Sequence, residues 1–122
     1  MIARKFEDLI FWQKARELTK LVYSYSKNGA FQKDFELKDQ IRRASVSTMA
    51  NIAEGFGRGG NKEFIQFLFV AKGSLAEVQS HLYVALDQEY IDDKKFRVAY
   101  DKADEITRMI NSFIMSIDKS DK

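Results

Sequence analysis

Apolar residues recur every three or four positions along most of the chain, the spacing that places them on one face of an α-helix. Four such segments are separated by short stretches of turn-forming residues, and they predict helices over roughly 7–27, 35–56, 62–89 and 93–117. No segment alternates with period two for long enough to compete as a strand. Because short connections between long helices imply antiparallel neighbours, the pattern predicts an all-α, antiparallel up-down-up-down four-helix bundle.

The length and the helix ends refine this expectation. A chain of 122 residues can bury one core, so we expect a single domain over 1–122 with a frayed polar tail from residue 119. Proline is absent, which permits long uninterrupted helices. Asn61 and Asp92 precede the third and fourth segments, and both are predicted N-caps.

Net charge and composition limit the functions and the cellular location that we expect. The net charge of +2 is too small to indicate nucleic-acid binding by itself, so any electrostatic function needs local clustering. The chain has no cysteine, which excludes disulfides and thiolate metal sites. Charged residues interrupt the apolar residues near the N-terminus, and no signal peptide or membrane span is predicted. We therefore expect a cytoplasmic protein without a membrane partner.

One stretch, EGFGRGGNKEF at 54–64, contains the G-x-G-x-x-G pattern of phosphate-binding loops. In dinucleotide folds that pattern follows a β-strand, whereas the residues before it here have helical spacing. The favoured interpretation is that Gly57, Gly59 and Gly60 end the second helix and turn the chain. An alternative is that Arg58 and Lys62, at the start of the third helix, receive an RNA phosphate.

Catalytic and metal chemistry has little support. His81 is the only histidine, so general acid-base catalysis, Ser-His or Cys-His pairs and multi-histidine metal sites have little support. Di-iron bundles use paired Glu-x-x-His motifs, and the single Glu77-x-x-x-His81 has the wrong spacing. We predict that the protein is not an enzyme and needs no metal or cofactor, with His81 at the edge of the core.

The second and third helices have a second apolar face opposite the core stripe. Small residues dominate these faces, where an ordinary surface would carry Lys and Glu, and small residues allow another backbone to approach closely. The candidate interface residues are Arg43, Ser47, Ala50 and Glu54 on the second helix, and Ile65, Phe69, Gly73, Ala76, Ser80 and Tyr83 on the third. The economical partner is another copy of the chain.

Arg43 and Glu54 raise a separate question on this face. They lie eleven residues apart, about 16 Å along the helix, which is too far for them to pair with each other. Our hypothesis is that each bonds to a group across a subunit contact; the alternative is that both extend into water at a polar rim.

Several motifs occur together in a recognisable order. They are FEDLIFWQKARELTKLVY, QIRRASVSTMANIAEGFGR, EFIQFLFVAKGSLAEVQSHL and the pair Tyr90-Ile91. In sequence and spacing they resemble the four-helix-bundle proteins associated with 23S rRNA intervening sequences, from Phe6 to Ile91. The chain departs from that pattern at Ser47-Thr48-Met49, where the family commonly has Ser-Ile-Pro, and at Phe31-Gln32, where Phe-Pro is frequent.

The resemblance implies a four-helix bundle that assembles as a ring-like homopentamer. It also implies an open reading frame carried within inserted segments of bacterial 23S rRNA genes. Similar bundles serve as accessory proteins of the reverse transcriptases in diversity-generating retroelements, where a basic assembly binds nucleic acid and enzyme.

Two functions therefore remain open. The first is a homo-oligomer that binds nucleic acid, RNA or DNA, with Arg42, Arg58, Lys62 and Lys72 as candidate phosphate contacts. The second is an adaptor or scaffold that binds a partner protein, such as a reverse transcriptase, through the apolar face of the third helix. Salt separates them, because phosphate contacts weaken steeply with ionic strength and apolar docking does not.

Overall fold

The chain folds into four long antiparallel helices, which confirms the predicted all-α class. A computed structural model describes the backbone of residues 3–120 and the side chains of residues 3–117. A 3₁₀ turn at Phe6–Asp8 precedes five helices: α1 (Ile10–Ser26), α2 (Gly29–Lys33), α3 (Phe35–Gly57), α4 (Asn61–Asp87) and α5 (Asp93–Ser120). None of them is both long enough and apolar enough to cross a membrane.

The four long helices form a closed ring of neighbours. Helix α3 packs against α1 and α4, while α5 packs against α4 and α1. Side-chain contacts give the directions: on α4 and α5, Phe64 meets Phe113 at one end of the bundle and Tyr83 meets Phe96 at the other. Contacts whose positions rise on one helix and fall on the next require antiparallel helices. The contacts between α1 and α3 and between α3 and α4 follow the same order, so the chain runs up, down, up and down.

The core consists of the apolar stripes that the sequence pattern predicts. Each long helix contributes residues spaced by three or four positions, and their side chains meet in the centre of the ring. The largest fully buried aliphatic side chains are Leu18, Val22, Ile41, Ile52, Leu68, Leu75, Val78, Leu82, Ile106 and Ile110. At one end of the bundle, Phe113 contacts both Phe11 and Phe64 edge to face, which joins α1, α4 and α5.

Helices α3 and α4 approach each other closely at Gly55. A Cβ atom placed there would lie 2.6 Å from Cβ of Phe67 and 3.0 Å from Cδ1 of Phe64. Real Cβ atoms do not come that close to other carbons, so only glycine fits without a shift of α4. Because Gly55 has no side chain, the end of α3 can pack directly against the start of α4.

The connection between α1 and α3 contains an element that the sequence pattern did not predict. Helix α2 begins at Gly29, whose φ of 58° lies in the left-handed region, and it buries Phe31 against the Tyr90 ring. Asp34 caps α3 by accepting from Leu37 N–H, and its other carboxylate oxygen accepts from the Tyr90 hydroxyl at 2.9 Å. This hydrogen bond raises the pKa of Tyr90.

The predicted helix ends are correct in part. Asp92 caps α5 through a 2.8 Å hydrogen bond from Lys95 N–H, as expected. Asn61 is not an N-cap: α4 begins at Asn61 itself, and the capping position falls on Gly60. Helix α5 continues to Ser120, three residues beyond the predicted end, while 121–122 lie outside the described residues. The frayed tail from residue 119 stays a prediction.

We expect Gly55→Ala to lower the free energy of unfolding by about 1–3 kcal/mol, because the methyl group overpacks the contact with Phe67. Gly57→Ala is the matched control, since its Cβ would meet no atom within 4 Å. Alanine there should be neutral or stabilising by up to about 1 kcal/mol. Urea denaturation followed by circular dichroism measures both, and equal effects would contradict the close approach.

Candidate functional site

Helix α4 exposes a stripe of large apolar side chains on the side opposite the core. Phe69 and Val70 are each 54% exposed, and Tyr83 is 50% exposed about four helical turns further along. Between them lie Gly73 and Ala76, which are also exposed. From 69 to 84 the stripe is about 22 Å long. Val84, 41% exposed, extends it; neither Val70 nor Val84 was among the predicted interface residues.

The neighbouring outer surface of α3 continues this apolar character. Val46 is 44% exposed and Ala50 is exposed. We call the two stripes together the α3/α4 apolar face. Its members are Val46 and Ala50 on α3, and Phe69, Val70, Gly73, Ala76, Ser80, Tyr83 and Val84 on α4. Large exposed apolar patches on one side of a protein mark an interaction surface.

Two candidate interface residues are not freely exposed on this face. Ser47 is half-buried between α3 and α4, and its Oγ accepts hydrogen bonds from Asn51 Nδ2 at 3.0 Å and Ser74 Oγ at 3.1 Å. Ser47 therefore lies in the seam between α3 and α4 of its own chain, because the two helices cross closely there. Ile65 is half-buried as well.

Glu54 and Arg43 differ in their surroundings. Glu54 accepts a 2.8 Å hydrogen bond from Arg58, four residues later in the chain, so it has an ion-pair partner within its own chain. This bond raises the pKa of Arg58. Glu54 therefore has a partner without a subunit contact, and the hypothesis that it bonds across such a contact stays a prediction. Arg43 is exposed and forms no ion pair with any residue whose side chain the structure describes.

The glycine-rich turn joins two helices, as its sequence context indicated. Of its glycines, Gly59 alone adopts a positive φ, 85°. Arg58 lies 3.9 Å from the Glu63 carboxylate in addition to its bond with Glu54, and its guanidinium stacks 5.2 Å from the Phe67 ring centroid. Two carboxylates thus offset the charge of Arg58. Lys62, the other predicted phosphate contact at the turn, is exposed.

The two remaining candidate cations lie elsewhere. Arg42 Nε donates to Ser26 Oγ at 2.8 Å, and its guanidinium lies 4.3 Å from the Tyr23 ring centroid, both on α1. Lys72 lies 4.9 Å from the ring centroid of Phe69. Arg42 and Arg58 are separated by 16 residues of α3, about 24 Å. The four predicted phosphate contacts therefore do not form one cluster.

Metal-binding and polar groups offer no further site. Among the side chains that the structure describes, no three His, Asp or Glu residues are arranged to hold a metal ion. His81 is half-buried, and it lines a shallow depression with Gln40, Ser80 and Val84. Within the same range, every buried side-chain nitrogen or oxygen atom has a hydrogen-bond partner.

The fold and this surface define an antiparallel four-helix bundle with an apolar outer face on two adjacent helices. A family model described as the 23S rRNA-intervening sequence protein matches residues 7–112. The chain therefore belongs to the 23S rRNA-intervening sequence protein family.

The structural comparison agrees with this membership. A matching crystal structure is that of a protein with unknown function from the S23 ribosomal protein family of Bacteroides thetaiotaomicron. It is 26% identical, covers 85% of this chain and 97% of its own, and gives a TM-score of 0.77. No curated protein matches the sequence.

We expect Ser47→Ala to lower the free energy of unfolding by about 1–2 kcal/mol, because the buried Ser74 hydroxyl loses its acceptor in the seam. Ser80→Ala is the control: Ser80 is exposed on α4, and its replacement should change stability by less than about 0.5 kcal/mol. Chemical denaturation measures the free energy of unfolding of both variants and of wild type. A Ser47 variant as stable as wild type would contradict a stabilising hydrogen bond between Ser74 and Ser47.

Proposed function

We propose that this protein is a non-enzymatic homo-oligomer that assembles through the α3/α4 apolar face, as a pentameric ring, and binds nucleic acid in the cytoplasm. The observation that carries the proposal is that face itself. Phe69, Val70 and Tyr83 are each at least half exposed on one side of α4, beside the small residues Gly73 and Ala76. A single copy of the bundle leaves this surface in contact with water.

A second copy of the chain suits this surface. Small residues at the centre allow another helix to approach closely, and the larger side chains at both ends supply the apolar area. In a ring, each subunit uses one part of its surface toward one neighbour and a different part toward the other. The outer surfaces of α3 and α4 are side by side, so they offer two such parts.

Two arguments support nucleic-acid binding. One is the description of the family, and the other is that every copy in an oligomer adds its own weak phosphate contacts. The family is described by its association with a 23S rRNA intervening sequence, which favours RNA as the partner. One copy carries a net charge of only +2. Linked copies bring several weak phosphate contacts to the same polynucleotide, and linked contacts gain effective concentration.

The alternative is an adaptor that binds a partner protein, such as a reverse transcriptase, through the same apolar face. The exposed aromatic residues Phe69 and Tyr83 favour it, since aromatic side chains are enriched at protein interfaces. In that case the chain would leave RNA unbound, and its association would respond little to salt.

We expect Gly73→Leu to dissociate the oligomer and leave the helix content unchanged. A Cβ at Gly73 meets no atom within 4 Å in its own chain, so the larger side chain obstructs only a partner. Ser24→Leu, on the exposed side of α1, is the matched control and should keep the wild-type mass. Light scattering and circular dichroism measure both properties, and an unchanged mass for the Gly73 variant would argue against this face.

The wild-type protein should show a mass near five chains, with a further increase on addition of a ribosomal RNA fragment at low salt. High salt should remove the RNA, since counterion release makes phosphate binding weaken steeply. An oligomer indifferent to RNA at every salt concentration would favour the adaptor, and a monomer would contradict the assembly.

A further inference from the structure

The outer side of α1 carries a basic stripe beside α3. Arg16, Lys20, Tyr23 and Lys27 follow one another at spacings of three or four residues, and all four side chains are exposed. Residues at this spacing lie on one face of a helix, here about 16 Å from first to last. None of the three cations forms an ion pair with another side chain that the structure describes.

Two cations on α3 lie beside this stripe, and one of them is held in place. Arg42 uses Nε to donate to Ser26 Oγ, and its guanidinium is stacked at 4.3 Å from the centroid of Tyr23. Its other N–H groups bond to no described residue, so four donors remain for an anion. Lys38 lies one helical turn before Arg42, where it approaches the Phe35 ring. We call these five cations with Tyr23 the α1/α3 basic groove.

Two acidic residues, Glu7 and Glu17, line one surface depression with Arg16 and Lys20. Glu17, next to Arg16 in the chain, points toward α5, where Lys102 donates to it at 2.6 Å. On α3, Asp39 is exposed, and by helical rotation it lies toward the outer surface, about 60° from Arg42. At the other end of the groove, Lys27 and Arg42 form no ion pair with any carboxylate that the structure describes, so their positive charge is available to a ligand.

We propose that the α1/α3 basic groove binds single-stranded RNA, with phosphates on its five cations and one unstacked base on Tyr23. This inference rests on the proposed nucleic-acid function and places it on residues of which sequence reasoning selected only Arg42. A groove about 16 Å long can contact more than one phosphate of the same strand. A guanidinium fixed by a hydroxyl and a ring is already oriented for a phosphate, so it loses little freedom on binding.

The aromatic side chains favour a single strand over a duplex. Tyr23 remains 41% exposed with Arg42 stacked against it, and base stacking on such rings is typical of single-strand binding. The turn at Arg58 is less suitable, because Glu54 and Glu63 offset its charge. The groove also lies on the α1 side of α3, so RNA there leaves the α4 stripe free for assembly.

The test compares two double variants of the intact protein that remove the same charge and the same residue types. Arg16→Gln with Lys27→Gln alters the groove, while Arg108→Gln with Lys94→Gln alters exposed cations on the outer side of α5. Binding of a labelled oligouridine is measured by fluorescence anisotropy across a range of salt concentrations. Light scattering and circular dichroism verify that both variants remain assembled and helical.

The groove variant should bind about 25-fold more weakly at 100 mM salt, since each lost phosphate contact removes about 0.7 log units there. The slope of log K against log salt should also become about 1.4 units shallower, while the α5 variant keeps the wild-type slope. If both variants weaken equally, or if only the α5 variant weakens, the groove is not the site. If wild type binds no oligouridine at any salt, the proposed nucleic-acid function fails first.

A second variant tests the base contact separately. Tyr23→Leu keeps an apolar side chain but removes the ring, and it should weaken oligouridine binding by at least roughly fivefold while the salt slope stays the same. Trp12, the single tryptophan, lies one helical turn before Arg16, so its emission should change when the groove is filled. The proposed stacking of an RNA base on Tyr23 would be contradicted if duplex RNA bound as tightly as oligouridine. It would also be contradicted if the Tyr23 variant bound oligouridine as tightly as wild type.

Discussion

The close approach of α3 and α4 is the constraint on which the rest of this bundle depends. Gly55 lies against Phe67, and in the middle of the same pair of helices Ser47 and Ser74 join through their hydroxyls. Small residues at these two levels let the two backbones run side by side, so the residues between the helices are not available to a partner. The same approach places the two outer surfaces next to each other, so a face of each helix becomes one broad apolar surface.

Three sides of helix α3 take part in three different proposed properties: core packing, assembly and RNA binding. Its inner side, with Ile41 and Ile52, is buried in the core. Its outer side belongs to the apolar surface through Val46, and its α1 side carries Arg42 over Tyr23. Residues three and four apart on a helix lie on one side, so a single element can serve packing, assembly and RNA binding with little overlap. Changes at Gly73 and at Arg16 should therefore act on different properties.

Much of the helical architecture could be predicted, because core burial imposes a period that is visible in a single sequence. The stripes through Leu68 and Leu75 are buried as expected, and Asp92 caps its helix. The misses lie where a contact between distant parts of the chain decides the local structure. Helix α2 forms because Phe31 packs on Tyr90, and Tyr90 also bonds to the residue that caps α3. Spacing within one segment contains no information about such a partner.

The same distinction applies to the candidate site. By itself, the sequence determined which faces of the second and third helices are rich in small and apolar residues, since facing follows from helical rotation alone. It also excluded a nucleotide loop, because helical spacing precedes the glycines. The pair of Glu54 with Arg58 is local, since the two residues lie four positions apart, and helical spacing alone is enough to predict it. Only the tertiary structure decided the partners of Arg42, which is held by Ser26 and Tyr23 of another helix. Whether a cation has a partner on another helix or can bind a ligand depends on which helix packs beside it. That in turn depends on the packing of all four helices together.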